Sequence, residues 1–174
     1  MIELTEYVFI DIVGQQDCIA LNDRSCFEMK FPVIGQGILI FHKDVKTPFS
    51  ISVEDKIGDY RLVLHIEKDK VLFIKWEGGT QRTLSFTQGK ECGLENGKIA
   101  YWYSYDRDNL ILKYGKGYRM EETTILSHNF LEYAASEKER KEVRKTMHPY
   151  FNPEEQRYIR LYESITFNSN GKFI

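Results

Sequence analysis

Between residues 7 and 114 the chain breaks into short apolar runs with turn residues about every 8–12 positions, and this punctuation limits the fold more than any other feature. The clearest case is "YRLVLHI" (60–66) and "VLFIKW" (71–76), which flank the charged turn "EKDK". Two apolar runs joined by so short a polar link read as a β-hairpin. Tyr7 to Val13 is a β-branched and aromatic run that stops at Gly14, and Cys18 to Leu21 is followed by the turn residues Asn22-Asp23-Arg24-Ser25. From Cys26 to Val33 the pattern alternates, with Phe27, Met29 and Phe31 on one side and Glu28 and Lys30 on the other. "GILIFH" (37–42) is continuously apolar, as in a strand buried on both faces. Pro48 to Val53 alternates again, "QRTLSFTQG" follows a Gly-Gly turn, and a last hairpin joins residues 98–105 to 110–114 around "DRDN". Roughly nine or ten strands so closely spaced define a mainly β chain, an antiparallel β-sandwich or jelly-roll-like domain. The 14% aromatic content agrees, because aromatics suit pleated sheets.

The pattern changes near residue 128. "NFLEYAASEKERKEVRKTMHPY" is rich in good helix formers, which places a helical excursion at 128–150. Ser136 and Glu139 have capping-box spacing, Glu137 and Lys141 form a favourable i,i+4 pair, and Pro149 closes the segment. Its apolar stripe is thin (Phe130, Ala134, Val143, Met147), so the helix is expected to lie on a sheet surface. "RYIRLYESITF" alternates Ile159, Leu161, Ile165 and Phe167 and reads as a strand returning to the sheet. Residues 1–174 form a single β-rich domain in this reading, with 42% hydrophobic residues to build one core.

Several function classes fall away. A net charge of -2 provides no global basic field for a polyphosphate backbone, so general nucleic-acid binding is not expected. No apolar run reaches the ~18 residues of a membrane span. The first residues, Met1-Ile2-Glu3-Leu4-Thr5-Glu6, lack a basic leader, and the three cysteines (Cys18, Cys26, Cys92) are odd in number and contain no CxxC pair. These features suggest a reduced, cytoplasmic or otherwise intracellular protein, with a single Cys18–Cys26 bridge across a hairpin as the one disulfide left open. The four histidines (His42, His65, His128, His148) form no H-x-H or H-x-x-x-H pair, so no metal site is assigned, and no cofactor is expected. Gly35-Gln36-Gly37 lacks the third glycine and the following helix of a dinucleotide loop, and Gly115-Lys116-Gly117 lacks the P-loop order. "DRDN" lacks the glycine and distant glutamate of a calcium loop.

What remains is "YWYSYDRDNLILKYGKGYR" (101–119). Alternation puts Tyr101, Tyr103 and Tyr105 on one face of a strand and Trp102 on the other. Small neighbours, Ala100 and Ser104, suit Trp102 to a core. The tyrosines then form a second face, either a ligand platform or a bed for the C-terminal helix. The favoured function is a non-catalytic recognition module for a carbohydrate, another small ligand or a protein partner. Its binding residues would be Tyr101, Tyr103 and Tyr105 for stacking, Asp106 and Asp108 for hydroxyl groups, and Lys116 and Arg119 for an anion. Two alternatives stay open: a structural protein, of viral type for instance, that forms homo-oligomers through this aromatic face, and a β-barrel enzyme pairing a histidine such as His65 with acids from other strands.

Three stretches resemble the β-rich domain named after farnesoic acid O-methyltransferase. "VFIDIVGQQDCIALND" is similar to its opening strand pair, "FEMKFPVIGQGILIFHKD" to its central segment, and "YWYSYDRDNLILKYGKG" to its aromatic-Trp-x-Ser strand, turn and Gly-basic-Gly strand. The likeness covers about residues 7–118. It departs at Lys113-Tyr114, where the family favours valine before the glycine, and at the inserted hairpin of 60–87. The resemblance implies a β-sandwich recognition module, not a methyltransferase.

Overall fold

The structure, a computed structural model, describes residues 6–12, 15–21, 26–30, 36–43, 48–95, 99–117 and 121–163. Twelve strands are found among them: β1 (Glu6–Ile12), β2 (Gln15–Leu21), β3 (Cys26–Lys30), β4 (Gln36–Lys43), β5 (Phe49–Glu54), β6 (Tyr60–Ile66), β7 (Lys70–Glu77), β8 (Thr80–Gln88), β9 (Ala100–Asp106), β10 (Ile111–Lys116), β11 (Thr124–Asn129) and β12 (Tyr158–Glu163). Two short helices, α1 (Glu137–Thr146) and α2 (His148–Phe151), precede β12. Sheet one runs β2-β1-β4-β9-β10-β11 and sheet two runs β3-β12-β5-β6-β7-β8. Every pairing is antiparallel. The mainly β, two-sheet sandwich with a C-terminal helix and returning strand is therefore the fold. β2 and β3 belong to different sheets, so Cys18 and Cys26 do not face each other across a hairpin.

Alternation decides what enters the space between the sheets. Sheet two contributes Ile51, Val53, Leu62, Leu64, Ile66, Val71, Phe73, Ile159 and Leu161, all 0–2% exposed. Sheet one contributes Leu39 and Phe41 of β4, Leu112 and Tyr114 of β10, and three tyrosines of β9. The intervening Ile38, Ile40 and His42 are half-buried, so "GILIFH" is fully buried on one face only. Phe41 stacks on Tyr101 at 5.4 Å, and Phe73 meets Tyr103 edge-on at 5.8 Å. Such offset and edge contacts suit the quadrupoles of the rings.

The C-terminal third departs from expectation at its start. Residues 124–129 form β11 beside β10, and the helix begins only at Glu137, not at 128. The physical reason is the cap. Ser136 takes an extended backbone and its hydroxyl accepts from the Glu139 amide at 3.1 Å, while the Glu139 carboxylate accepts from the Ala135 amide at 2.7 Å. α1 buries none of its residues fully, as its thin stripe implies. The Met147 corner leads into α2, whose Tyr150 and Phe151 are buried at one end of the sandwich.

Candidate functional site

The tyrosine face is the core face. Tyr101, Tyr103 and Tyr105 are 0%, 0% and 1% exposed. This corrects the expected platform: no ligand or second subunit reaches rings enclosed between two sheets. Each hydroxyl is satisfied within the protein. Tyr103 donates to the Leu62 carbonyl (3.1 Å), Tyr105 to the Tyr150 carbonyl (2.7 Å) and Tyr114 to the Cys92 carbonyl (2.8 Å), while Tyr101 accepts from the Glu95 amide (2.8 Å). Burial raises the pKa of Tyr101, Tyr103, Tyr105 and Tyr114, because an enclosed phenolate is poorly solvated. Trp102 instead takes the outer face of sheet one and is still 2% exposed. It lies over Gly115, its cross-strand partner, and its indole N–H donates to the Thr123 hydroxyl at 3.2 Å. The missing side chain at Gly115 is what lets the indole lie flat there.

The polar candidates separate. Asp106 is spent on its own turn: its carboxylate accepts from the amides of Asp108 (2.9 Å) and Asn109 (3.2 Å) and from the Asn109 side chain (2.8 Å). Lys116 sits at the far end of β10, about 17 Å along the strand from Ile111. There it pairs with Glu95 at 3.2 Å and lines a shallow groove with Cys92, Thr123 and Thr124. Burial pushes the Cys92 thiol up, so it is a poor nucleophile. Arg119 lies outside the described residues.

Asp108, at the opposite end of the β9–β10 hairpin from Lys116, lines a second cleft. The cleft, about 400 Å³, lies where the β9–β10 hairpin tip meets the α1–α2 corner. Its walls are Arg107, Asp108, Leu110, Arg144, His148, Phe151 and Pro153. Arg107 Nε stands 3.4 Å from the Asp108 carboxylate, and Arg144 donates to the Asp108 carbonyl at 2.9 Å. That second bond ties the last turn of α1 to the hairpin tip. Leu110, just inside the tip, holds a left-handed backbone (φ 52°) and is 3% exposed, which anchors the turn. Arg107, Arg144 and His148 were not among the binding residues expected from the sequence. The signal available was the basic last turn of α1, Arg144 and Lys145.

A third arrangement lies on the outer face of sheet two. The Ser50 hydroxyl is 2.7 Å from His65 Nδ1, and His65 Nε2 is 3.2 Å from Glu67. The order of groups is that of a nucleophile, a base and an orienting acid. Ser50 and His65 are both 0% exposed, so no substrate reaches the hydroxyl. Desolvation is the leading cause that lowers the His65 pKa, and Glu67 opposes it. Nearby, the fully buried Glu54 carboxylate accepts from Ser52 (2.6 Å), from Tyr162 (3.1 Å) and from Arg160, with Arg61 at 3.5 Å. This network clamps β5, β6 and β12 together. Among the described residues no three His, Cys, Asp or Glu side chains converge on a metal-sized point, and no helix is long and apolar enough to cross a membrane.

The described residues form a two-sheet antiparallel β-sandwich with a cleft at a loop end that holds Arg107, Arg144 and His148. No protein-family model, curated protein or solved structure matches the chain.

Proposed function

We propose that this protein is a non-catalytic recognition module that binds its ligand in the cleft between the β9–β10 tip and the α1–α2 corner. The observation that carries this reading is the cleft itself. It gathers Arg107, Asp108, Arg144 and His148 from three elements around an apolar floor of Leu110 and Phe151. An apolar floor with a few convergent polar groups is the usual make-up of a small-ligand site. The elements that hold it are well anchored, because Tyr105 fastens α2 to sheet one and Arg144 fastens α1 to the tip. A site on loops fixed by a rigid sandwich is a common division of labour. The resemblance of three strand segments to a β-rich module points the same way. The Ser50–His65–Glu67 arrangement does not compete with this reading, since Ser50 and His65 are sealed from solvent.

The test is a ligand screen on ¹⁵N-labelled protein with neutral sugars, small carboxylates and phosphorylated compounds. The reading expects at least one class to move the amide signals of Arg107, Asp108, Arg144 and His148 saturably. Binding should be lost in an Arg144→Ala/His148→Ala double variant that unfolds at the parent temperature. Ligand-induced shifts confined to other surfaces would sink it.

A further inference from the structure

The chemistry of the cleft narrows its ligand. Arg107 engages the protein through Nε alone, and Arg144 has given one N–H to the Asp108 carbonyl. The His148 imidazole lines the same space. A cation in the last turn of α1 has an ordinary role in complementing the helix dipole. That role accounts for neither His148 nor Arg107, which approach from other elements. Asp108 is the one carboxylate in the wall.

A further positive charge stands behind the wall. Phe151 lines the cleft and stacks on Tyr105, with ring centroids 5.0 Å apart. Arg107 and Arg157 both act electrostatically on the Tyr105 hydroxyl. Arg157 is 0% exposed, and none of its three guanidinium nitrogens has a hydrogen-bond partner. The Glu155 carboxylate, half in solvent, stands 3.7 Å away. A guanidinium so buried and so poorly paired is costly to the fold, and little water screens its potential. Arg107, Arg144 and Arg157 thus bring three guanidinium groups to this end of the sandwich, with Asp106, Asp108 and Glu155 as the acids beside them.

We propose that the cleft binds a phosphate monoester carried by a small molecule. This rests on the recognition reading above. A phosphate has three terminal oxygens and takes donors from several directions, as the hairpin tip, α1 and α2 supply them. A planar carboxylate is satisfied by a single guanidinium fork and leaves the other donors idle. The volume of about 400 Å³ suits a small phosphorylated body.

The experiment is an NMR and calorimetric titration of the intact chain at constant ionic strength. The probes are inorganic phosphate, glucose 6-phosphate, a phosphoserine peptide, acetate and glucose. Inorganic phosphate should move the amides of Arg107, Arg144 and His148 saturably, and acetate should bind about tenfold more weakly. Glucose 6-phosphate should bind more tightly than phosphate alone. Arg107→Gln and Arg144→Gln should each weaken phosphate about tenfold, and Glu155→Gln, on an exposed side chain, should tighten it about two- to threefold by relieving Arg157 of its counter-charge. Equal binding of acetate and phosphate, or indifference to both arginine variants, overturns the proposal. A phosphoserine peptide that binds more tightly than glucose 6-phosphate overturns the small-molecule assignment. If glucose moves these amides and phosphate does not, the phosphate assignment falls and the recognition reading stands. If no probe moves them, both fall.

Discussion

Replacing Tyr105 by phenylalanine removes one oxygen and should cost the fold more than the same change at Tyr103. The Tyr105 hydroxyl donates at 2.7 Å to the carbonyl of Tyr150, and both residues are buried. Tyr150 lies in a helix of four residues, whose last carbonyls have no partner within the helix. Without the hydroxyl that carbonyl is stranded, at a cost of about 1–3 kcal/mol. Tyr103 donates to the Leu62 carbonyl at 3.1 Å, but Leu62 lies in β6, which is paired on both sides. Its carbonyl keeps a ladder bond, and the loss should be the net value of one hydrogen bond, about 0.5–1.5 kcal/mol. Urea unfolding with linear extrapolation reads both numbers, and a thermal melt should fall by about 2–4 °C per kcal/mol for a chain of this size. Tyr105→Phe within about 0.5 kcal/mol of the parent would refute the reasoning. So would a larger loss at Tyr103. On an exposed platform both changes would leave stability untouched.

Gly115→Ala places a methyl group 2.3 Å from the Thr123 carbonyl and 2.4 Å from the Trp102 ring. The loss should reach or exceed about 1–3 kcal/mol, with a shift in tryptophan fluorescence as the indole is displaced. Glu54→Gln removes the buried carboxylate that faces Arg160 and Arg61 and should cost about 3–5 kcal/mol in the same unfolding assay. Burial holds His65 below its ordinary value of 6.5, and His128 likewise, so in that window the unfolded chain binds protons that the folded chain does not. Stability should be complete above about pH 6.5 and fall as the pH drops below it, less steeply in His65→Gln, as urea midpoints at pH 7.5 and 5.5 would show.

The strand punctuation was legible because it is local. The 60–76 hairpin forms with Ile66 opposite Val71, and the Glu67 amide closes the turn on the Lys70 carbonyl at 2.8 Å. "DRDN" is a hairpin tip because aspartate and asparagine satisfy their own turn. The cap at Ser136 was equally readable, though the strand before it was not. "TILSHN" is too short to show its period, and its partner β10 supplies the order.

Which face of β9 points inward was not local. Both of its faces are apolar, so alternation separates Tyr101, Tyr103 and Tyr105 from Trp102 without saying which set is enclosed. Gly115 across the ladder settles it by leaving room for the indole outside, and the carbonyls of Leu62 on β6, Tyr150 on α2 and Glu95 settle it again by receiving the hydroxyls of Tyr103, Tyr105 and Tyr101. The cleft was less legible still, since Arg107 and Asp108 meet Arg144 and His148 only when α1 folds back on the hairpin tip. By itself the sequence determined most of the strands, their turns and the sandwich class, because those follow from contacts a few residues apart, while β11 and the start of α1 escaped it. The tertiary structure alone decided what is buried and which charges converge, because both depend on the layer that lands on each face.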